Sequence, residues 1–313
     1  MIKFLLRRLI AGVALVFVVA TGAFGLASLT GTDVVLNIVG ETATPAQIAA
    51  ETRQLGLDQP LVVQYGHWLG HAVRGNLGTS WFTGVPVNQS LADTLPITMS
   101  IVLAGLLIAV VLSVALGAVA ALRGGWVDRL TQIAAVLGTA VPSFLIALVL
   151  AVTFAVRLRW LPATGYVALG HSPIEWLRSI ILPALALAVG ATAATAMQVR
   201  GALIDVLKAD YVRTLRSRGL GGGSVVLRHA LRNAAPPALT VLALQFIGLI
   251  GGAVVVEKVF GLPGIGTLAN ASASEGDMPV LLGTVVVAVV FVVVVNLLLD
   301  IAYGWLNPKV RTS

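Results

Sequence analysis

Six stretches of this chain contain no Asp, Glu, Lys or Arg, and each is between 21 and 29 residues long: Leu9–Thr32, Thr94–Leu122, Leu130–Val156, Ser179–Val199, Asn233–Val256 and Met278–Leu299. A helix needs about 20 apolar residues to cross about 30 Å of hydrocarbon, so every stretch can span a bilayer. A segment in lipid must satisfy its own backbone hydrogen bonds, which a helix does alone. A transmembrane β-barrel would need alternating segments of about 10 residues, and runs such as Val285–Val295 do not alternate. Hydrophobic residues make up 58% of the chain and charged residues 11%. Soluble proteins hold about 45–50% and about 25%, and a water-soluble core of this size cannot hide such an excess. The fold class is therefore expected to be an all-α integral membrane protein with six transmembrane helices. The basic start (Lys3, Arg7, Arg8) could open a signal peptide, but the apolar run exceeds the roughly 7–15 residues of such a segment and reads as a retained first helix. The absence of cysteine excludes disulfides, thiolate metal sites and Cys nucleophiles.

Six spans put both termini on one side, and the positive-inside rule places a basic N-terminus in the cytoplasm. The segments then expected inside (1–8, 123–129, 200–232 and 300–313) hold fourteen of the twenty Lys and Arg but only four of the thirteen acids. Arg157, Arg159 and Arg178, beside an outer loop, run against that bias. The net charge of +7 thus reads as retention of cytoplasmic loops rather than as affinity for nucleic acid.

Three regions follow. Residues 1–32 are the N-terminus and first helix. Residues 33–93 form an extracytoplasmic region with an apolar helical stretch, Leu61–Val73, whose Tyr65 and Trp68 suit the membrane interface. It reads either as a lid over the outer helix ends or as a docking surface. Residues 94–313 form the core, with spans at 94–122, 130–156, 179–199, 233–256 and 278–299 and a cytoplasmic region at 200–232. That region carries seven of the twenty basic residues, and Leu203, Val206, Leu207, Tyr211 and Leu215 recur at helical spacing. One amphipathic helix at the inner surface is expected. Gly219-Leu220-Gly221-Gly222-Gly223 breaks it, and Arg228-His229-Ala230-Leu231-Arg232 follows. Pro236-Pro237 should kink the fifth span, because proline cannot continue a regular helix.

Nothing points to catalysis. None of Lys3, Lys208, Lys258 and Lys309 follows the glycine frame of a phosphate-binding loop. Gly261-Leu262-Pro263-Gly264-Ile265-Gly266 reads as a tight turn. His67 and His71 are four apart, but no nearby carboxylate completes a metal site, and none is expected. The spans hold no ionisable group near their centres, which argues against a proton relay. Gln198, Gln245 and Asn296 are their strongest polar groups, and read either as interhelical hydrogen-bonding residues or as the lining of a translocation path.

Asp210-Tyr211-Val212-Arg213-Thr214-Leu215-Arg216-Ser217-Arg218-Gly219-Leu220, followed by Leu227-Arg228-His229-Ala230-Leu231-Arg232-Asn233-Ala234 and Pro237, resembles the cytoplasmic coupling signature of ABC importer permeases. The version is that of the dipeptide/oligopeptide (peptide/nickel) permease family. Lys3–Leu9, Leu55–Pro60, Gln64-Tyr65, Trp68-Leu69, Gly75–Ser80, Thr94–Pro96, Val141–Phe144, Leu182–Leu185, Gly252–Glu257, Val259-Phe260, Pro263–Gly266 and Asn296–Asp300 resemble that family elsewhere, over nearly the whole chain. Departures are Arg213, Thr214 and Leu215 in place of Glu-Ala-Ala, the Gly221–Gly223 run, Asn76 in place of Asp, and the additional Pro236.

The resemblance implies a type I importer permease, of the first-permease type of a heterodimer, in the plasma (inner) membrane of a prokaryote with both termini cytoplasmic. It implies a second homologous permease subunit, two cytoplasmic ATPase subunits that bind ATP and Mg, and an extracytoplasmic substrate-binding protein. This chain would hold no cofactor and carry no catalytic residue. Asp210, Tyr211, Arg213, Thr214, Arg216, Arg218 and Gly219 would form the ATPase-coupling site, with Tyr211 as an apolar anchor and the arginines forming charge-assisted hydrogen bonds. Relatives carry dipeptides, longer peptides, nickel complexes or glutathione. The binding protein would dock on residues 33–93 and on the Gly261–Gly266 turn, through Asp33, Glu41, Glu51, Asp58, Asp93, Glu275 and Asp277. A secondary transporter would instead show internal repeats and coupling-ion groups; the sequence shows no repeat, and no buried acid is expected. A structural or enzyme-recruiting membrane protein would not need the Asp210–Leu220 segment.

Overall fold

The computed structural model describes residues 2–29 and 34–306. Asp33, Lys309 and Arg311 lie outside them. In chain order the helices are α1 (Ile2–Leu29), α2 (Val34–Val39), α3 (Pro45–Gln54), α4 (Leu61–Ala72), α5 (Val87–Arg123), α6 (Gly125–Ala140) and α7 (Ser143–Leu150), which continues as a π-helical stretch, Ala151–Arg157. Then follow α8 (Pro173–Lys208), α9 (Asp210–Ser217), α10 (Gly222–Ser224), a π-helical stretch Val225–Ala230, α11 (Leu231–Val259), α12 (Ile265–Glu275) and α13 (Met278–Leu306). Among the described residues there is no strand, only one bridge between Thr79 and Pro86.

Among the described residues five helices are long and apolar enough to cross a membrane: Leu6–Leu29, Val87–Arg123, Pro173–Lys208, Gly222–Val259 and Met278–Gly304. The remaining charge-free window is not one straight helix. Gly125–Ala140 and Ser143–Arg157 meet at 98°. Pro142 has no N–H to donate and forces the residue before it out of the helical region, and Val141 is extended at φ −84°, ψ 121°.

The bent pair nevertheless makes one crossing. A Cβ on Gly105 of α5 would lie 3.2 Å from the carbonyl oxygen of Ala184 on α8, and one on Gly117 would lie 2.7 Å from that of Ala196. Both numbers rise together, so the two helices run parallel. The chain must therefore return across the membrane between them. Asp128, at the start of α6, pairs with Arg200 near the end of α8. Gly138 meets Ala193, and the Trp160 carbonyl accepts a hydrogen bond from Arg178 near the start of α8. The bent pair thus runs back along the length of α8 and completes six crossings.

The helices group into two compact units, residues 99–262 with 294–306, and residues 2–98 with 263–293. In the first, α8 is the central helix, burying Ile180, Leu182, Leu187, Val199 and Leu203 together with Ala184, Ala188, Ala191 and Ala196. Lipid offers little hydrophobic force between helices, so close approach through small residues holds them together. In the second unit, Val87, Leu91 and Val280 pack with Leu77, Leu268 and Val287. Buried Asp277 accepts hydrogen bonds from the Ser80 hydroxyl and the Trp81 N–H. The Thr98 hydroxyl accepts from the Ile265 N–H at the start of α12.

Pro236 and Pro237 lie inside α11, which runs through both. The prolines cannot donate to the carbonyls of Arg232 and Asn233, which are both exposed residues. Of Gly221–Gly223, only Gly221 is non-helical; Gly222 and Gly223 open the next helix. Two acids, Glu257 and Asp277, are buried despite lying at helix ends where exposure was expected. Asp277, at 2% exposure, therefore presents no charge for docking.

Candidate functional site

The fourth span continues well past its charge-free window. Arg200 is neutralised there by Asp128, and Leu203 is fully buried in a cluster with Ala230 and Ala234, so packing carries α8 on to Lys208. It stops at Ala209, which is extended (φ −66°, ψ 144°), and α9 begins at the next residue. The expected single amphipathic helix is therefore two: Leu203, Val206 and Leu207 end α8, while Tyr211 and Leu215 belong to α9. Alanine carries no local signal for the break.

Val212 is the one buried residue among the eight of α9, which rests on α8 and on the Val225–Ala230 turn. Asp210, Tyr211, Arg213, Thr214, Arg216, Arg218 and Gly219 are all exposed along this segment. Within it Arg213 approaches Asp210 at 3.5 Å, and the Thr214 hydroxyl donates to the Asp210 carbonyl at 3.2 Å. With both charges largely in water the ion pair adds little to stability.

The end of α9 is tightly specified. The Gly219 N–H donates to the Arg216 carbonyl at 3.0 Å, and the Leu220 N–H donates to the Leu215 carbonyl at 3.3 Å. This pair of bonds is the Schellman closure, and it places Gly219 at φ +81°. The Tyr211 hydroxyl accepts a hydrogen bond from the Asn233 amide at 3.0 Å, and the same amide donates to the His229 carbonyl at 3.0 Å. Tyr211 thus ties α9 back to α11. Sequence reasoning missed Val212, Asn233 and the Asp128–Arg200 pair. Only Asn233 carried a signal, as the first residue of the fifth charge-free window.

Gln198, Gln245 and Asn296 are half-buried. None of them lines the cavity of about 450 Å³ between α5, α8 and α11, or the one of about 360 Å³ between α5, α6 and α8. His67 and His71 are exposed on α4.

Residues 113–312 match the family described as binding-protein-dependent transport system inner membrane component, and residues 1–102 match its N-terminal region. A Brucella abortus protein named as a peptide transport system permease is 39% identical over 312 residues, covering 99% of each chain. The peptide ABC transporter permease protein y4tP of Sinorhizobium fredii is 38% identical over 309 residues, 98% of this chain and 99% of that one. The glutathione transport system permease protein GsiC of Salmonella typhimurium is 36% identical over 312 residues, 99% of each. A multi-pass helical chain with end-to-end matches of this kind belongs to the binding-protein-dependent transport system inner membrane components, the permeases of ABC importers.

Proposed function

We propose that this permease forms half of the translocation pathway of an importer for dipeptides or oligopeptides, paired with a second, homologous permease. Two cytoplasmic ATPase subunits, which hold the ATP and Mg, supply the energy, and an extracytoplasmic binding protein delivers the cargo. This chain contributes no catalytic residue. The observation that carries the reading is α9, an exposed basic helix pinned at Val212 and hydrogen-bonded to α11. A helix held in this way can pass a displacement from a subunit docked against it to the long helices beside it. Arg213, Arg216 and Arg218 offer charge-assisted hydrogen bonds to that subunit.

The peptide cargo rests on the names of the relatives, and glutathione or a nickel complex is the competing cargo class. With six crossings both termini would share one face, and the Lys/Arg bias supports the cytoplasm of a prokaryote as that face. Residues 41–93 and α12 then face outward, and Glu41, Glu51, Asp58, Asp93 and Glu275 offer a salt-sensitive docking surface to the binding protein.

The test compares Gly219→Val and Arg213→Glu with the parent complex at matched membrane abundance. Gly219→Val should abolish cargo uptake while the ATPase still co-purifies. Arg213→Glu should weaken that co-purification. Normal uptake in both variants would overturn the coupling assignment.

A further inference from the structure

The cavity of about 450 Å³ between α5, α8, the Val225–Ala230 stretch and the start of α11 has a lining of two chemical kinds. Its volume falls in the range of small-molecule sites, roughly 300–1,000 Å³. The walls are apolar, formed by residues such as Val110, Val114, Leu239 and Leu242. Deep in the wall stands Thr195, 1% exposed, whose hydroxyl has no hydrogen-bond partner. An unpaired buried hydroxyl costs about 1–3 kcal/mol, so this one is suited to an incoming acceptor. Arg228 and Arg232, exposed residues one helical turn apart, also line the cavity. Arg232 is the last charged residue before the fifth charge-free window, which places it at the depth of the membrane boundary.

Two cations at the boundary, an apolar channel behind them and a buried hydroxyl within it match one class of molecule. We propose that this cavity binds an anionic phospholipid: its phosphate lies between Arg228 and Arg232, one acyl chain fills the channel, and an ester oxygen accepts the Thr195 hydroxyl. Arginine supplies planar donors to phosphate oxygens. Basic residues at a membrane surface favour anionic lipid strongly enough that losing two should be readily measured. The site lies within one unit of the fold and stands whichever cargo the permease carries.

The test uses the assembled importer in nanodiscs containing phosphatidylglycerol and phosphatidylcholine, with a photoactivatable phosphatidylglycerol as probe. The probe should label residues around 110–114 and 227–242. Arg228→Gln together with Arg232→Gln should lower labelling there about tenfold or more relative to a phosphatidylcholine probe. Ala238→Phe, which fills the channel and keeps both arginines, should also abolish it. Excess glycerol phosphate should not compete. Equal labelling by both probes, or labelling unchanged in the arginine variant, would overturn the proposal. So would competition by glycerol phosphate, which would assign the site to a soluble phosphate ester. Crosslinking of these residues to the second permease subunit in place of lipid would overturn it as well.

Discussion

Gly219 shows what a single backbone position can require. A Cβ there would meet nothing within 4 Å, so the objection to a side chain is conformational and not steric. At φ +81° a β-branched residue is strained by about 1–3 kcal/mol, enough to re-aim the end of α9. The sequence made this legible, because a glycine just past a short basic helix marks such a closure. Val212 was not legible, since one valine among polar residues does not reveal which face is covered. The Tyr211–Asn233 bond was equally hidden, because it joins residues on two helices. Its contribution should be about 0.5–1.5 kcal/mol. In a double-mutant cycle on ATP hydrolysed per cargo molecule, Tyr211→Phe, Asn233→Leu and the double variant should show the same loss. Additive losses would mean that the two residues act separately.

Among the elements, the spans were legible because charge is expelled from hydrocarbon, so gaps between charges mark them. The same signal is blind to shape inside a gap. Prolines occur in five of the gaps, yet α5, α8 and α11 continue through Pro96, Pro183 and the Pro236-Pro237 pair and Pro279 sits in the first turn of α13, while Pro142 lies at a sharp bend. A proline's effect depends on whether neighbouring helices hold the chain straight, which packing decides. The short helix α12 escaped notice because Gly, Ala, Ser and Asn dominate it and leave little apolar periodicity. Packing makes its own prediction at Gly117. Its Cβ would lie 2.7 Å from the Ala196 carbonyl and 2.8 Å from the Val199 Cβ, both on the α8 backbone or next to it. Gly117→Leu should therefore destabilise the chain by more than the usual 1–3 kcal/mol of overpacking. Monodispersity in size-exclusion chromatography should be lost, whereas Gly201→Ala, with open space at its Cβ, should leave it intact.

For the molecule as a whole, the absence of cysteine makes topology directly measurable. Single cysteines introduced at Glu41 and at Ser217 should react with a membrane-impermeant maleimide from opposite faces, the first in intact cells and the second only after permeabilisation. Labelling of both in intact cells would contradict the six-crossing topology. The purified chain alone should hydrolyse no ATP above the background of an empty-vector preparation, and the assembled importer should do so faster with loaded binding protein. Persistent hydrolysis by the chain alone would contradict the placement of that chemistry in partner subunits.

The two points where α5 meets the α8 backbone are twelve residues apart on both helices, Gly105 to Gly117 and Ala184 to Ala196. That equality makes length itself a constraint on inheritance. One residue inserted between Gly105 and Gly117 would turn everything beyond it by about 100° and push Leu116 into the place facing Ala196. Point substitutions can drift along these helices wherever the side chain faces lipid, but a three-nucleotide insertion within this stretch is closed to the gene unless α8 acquires a matching one.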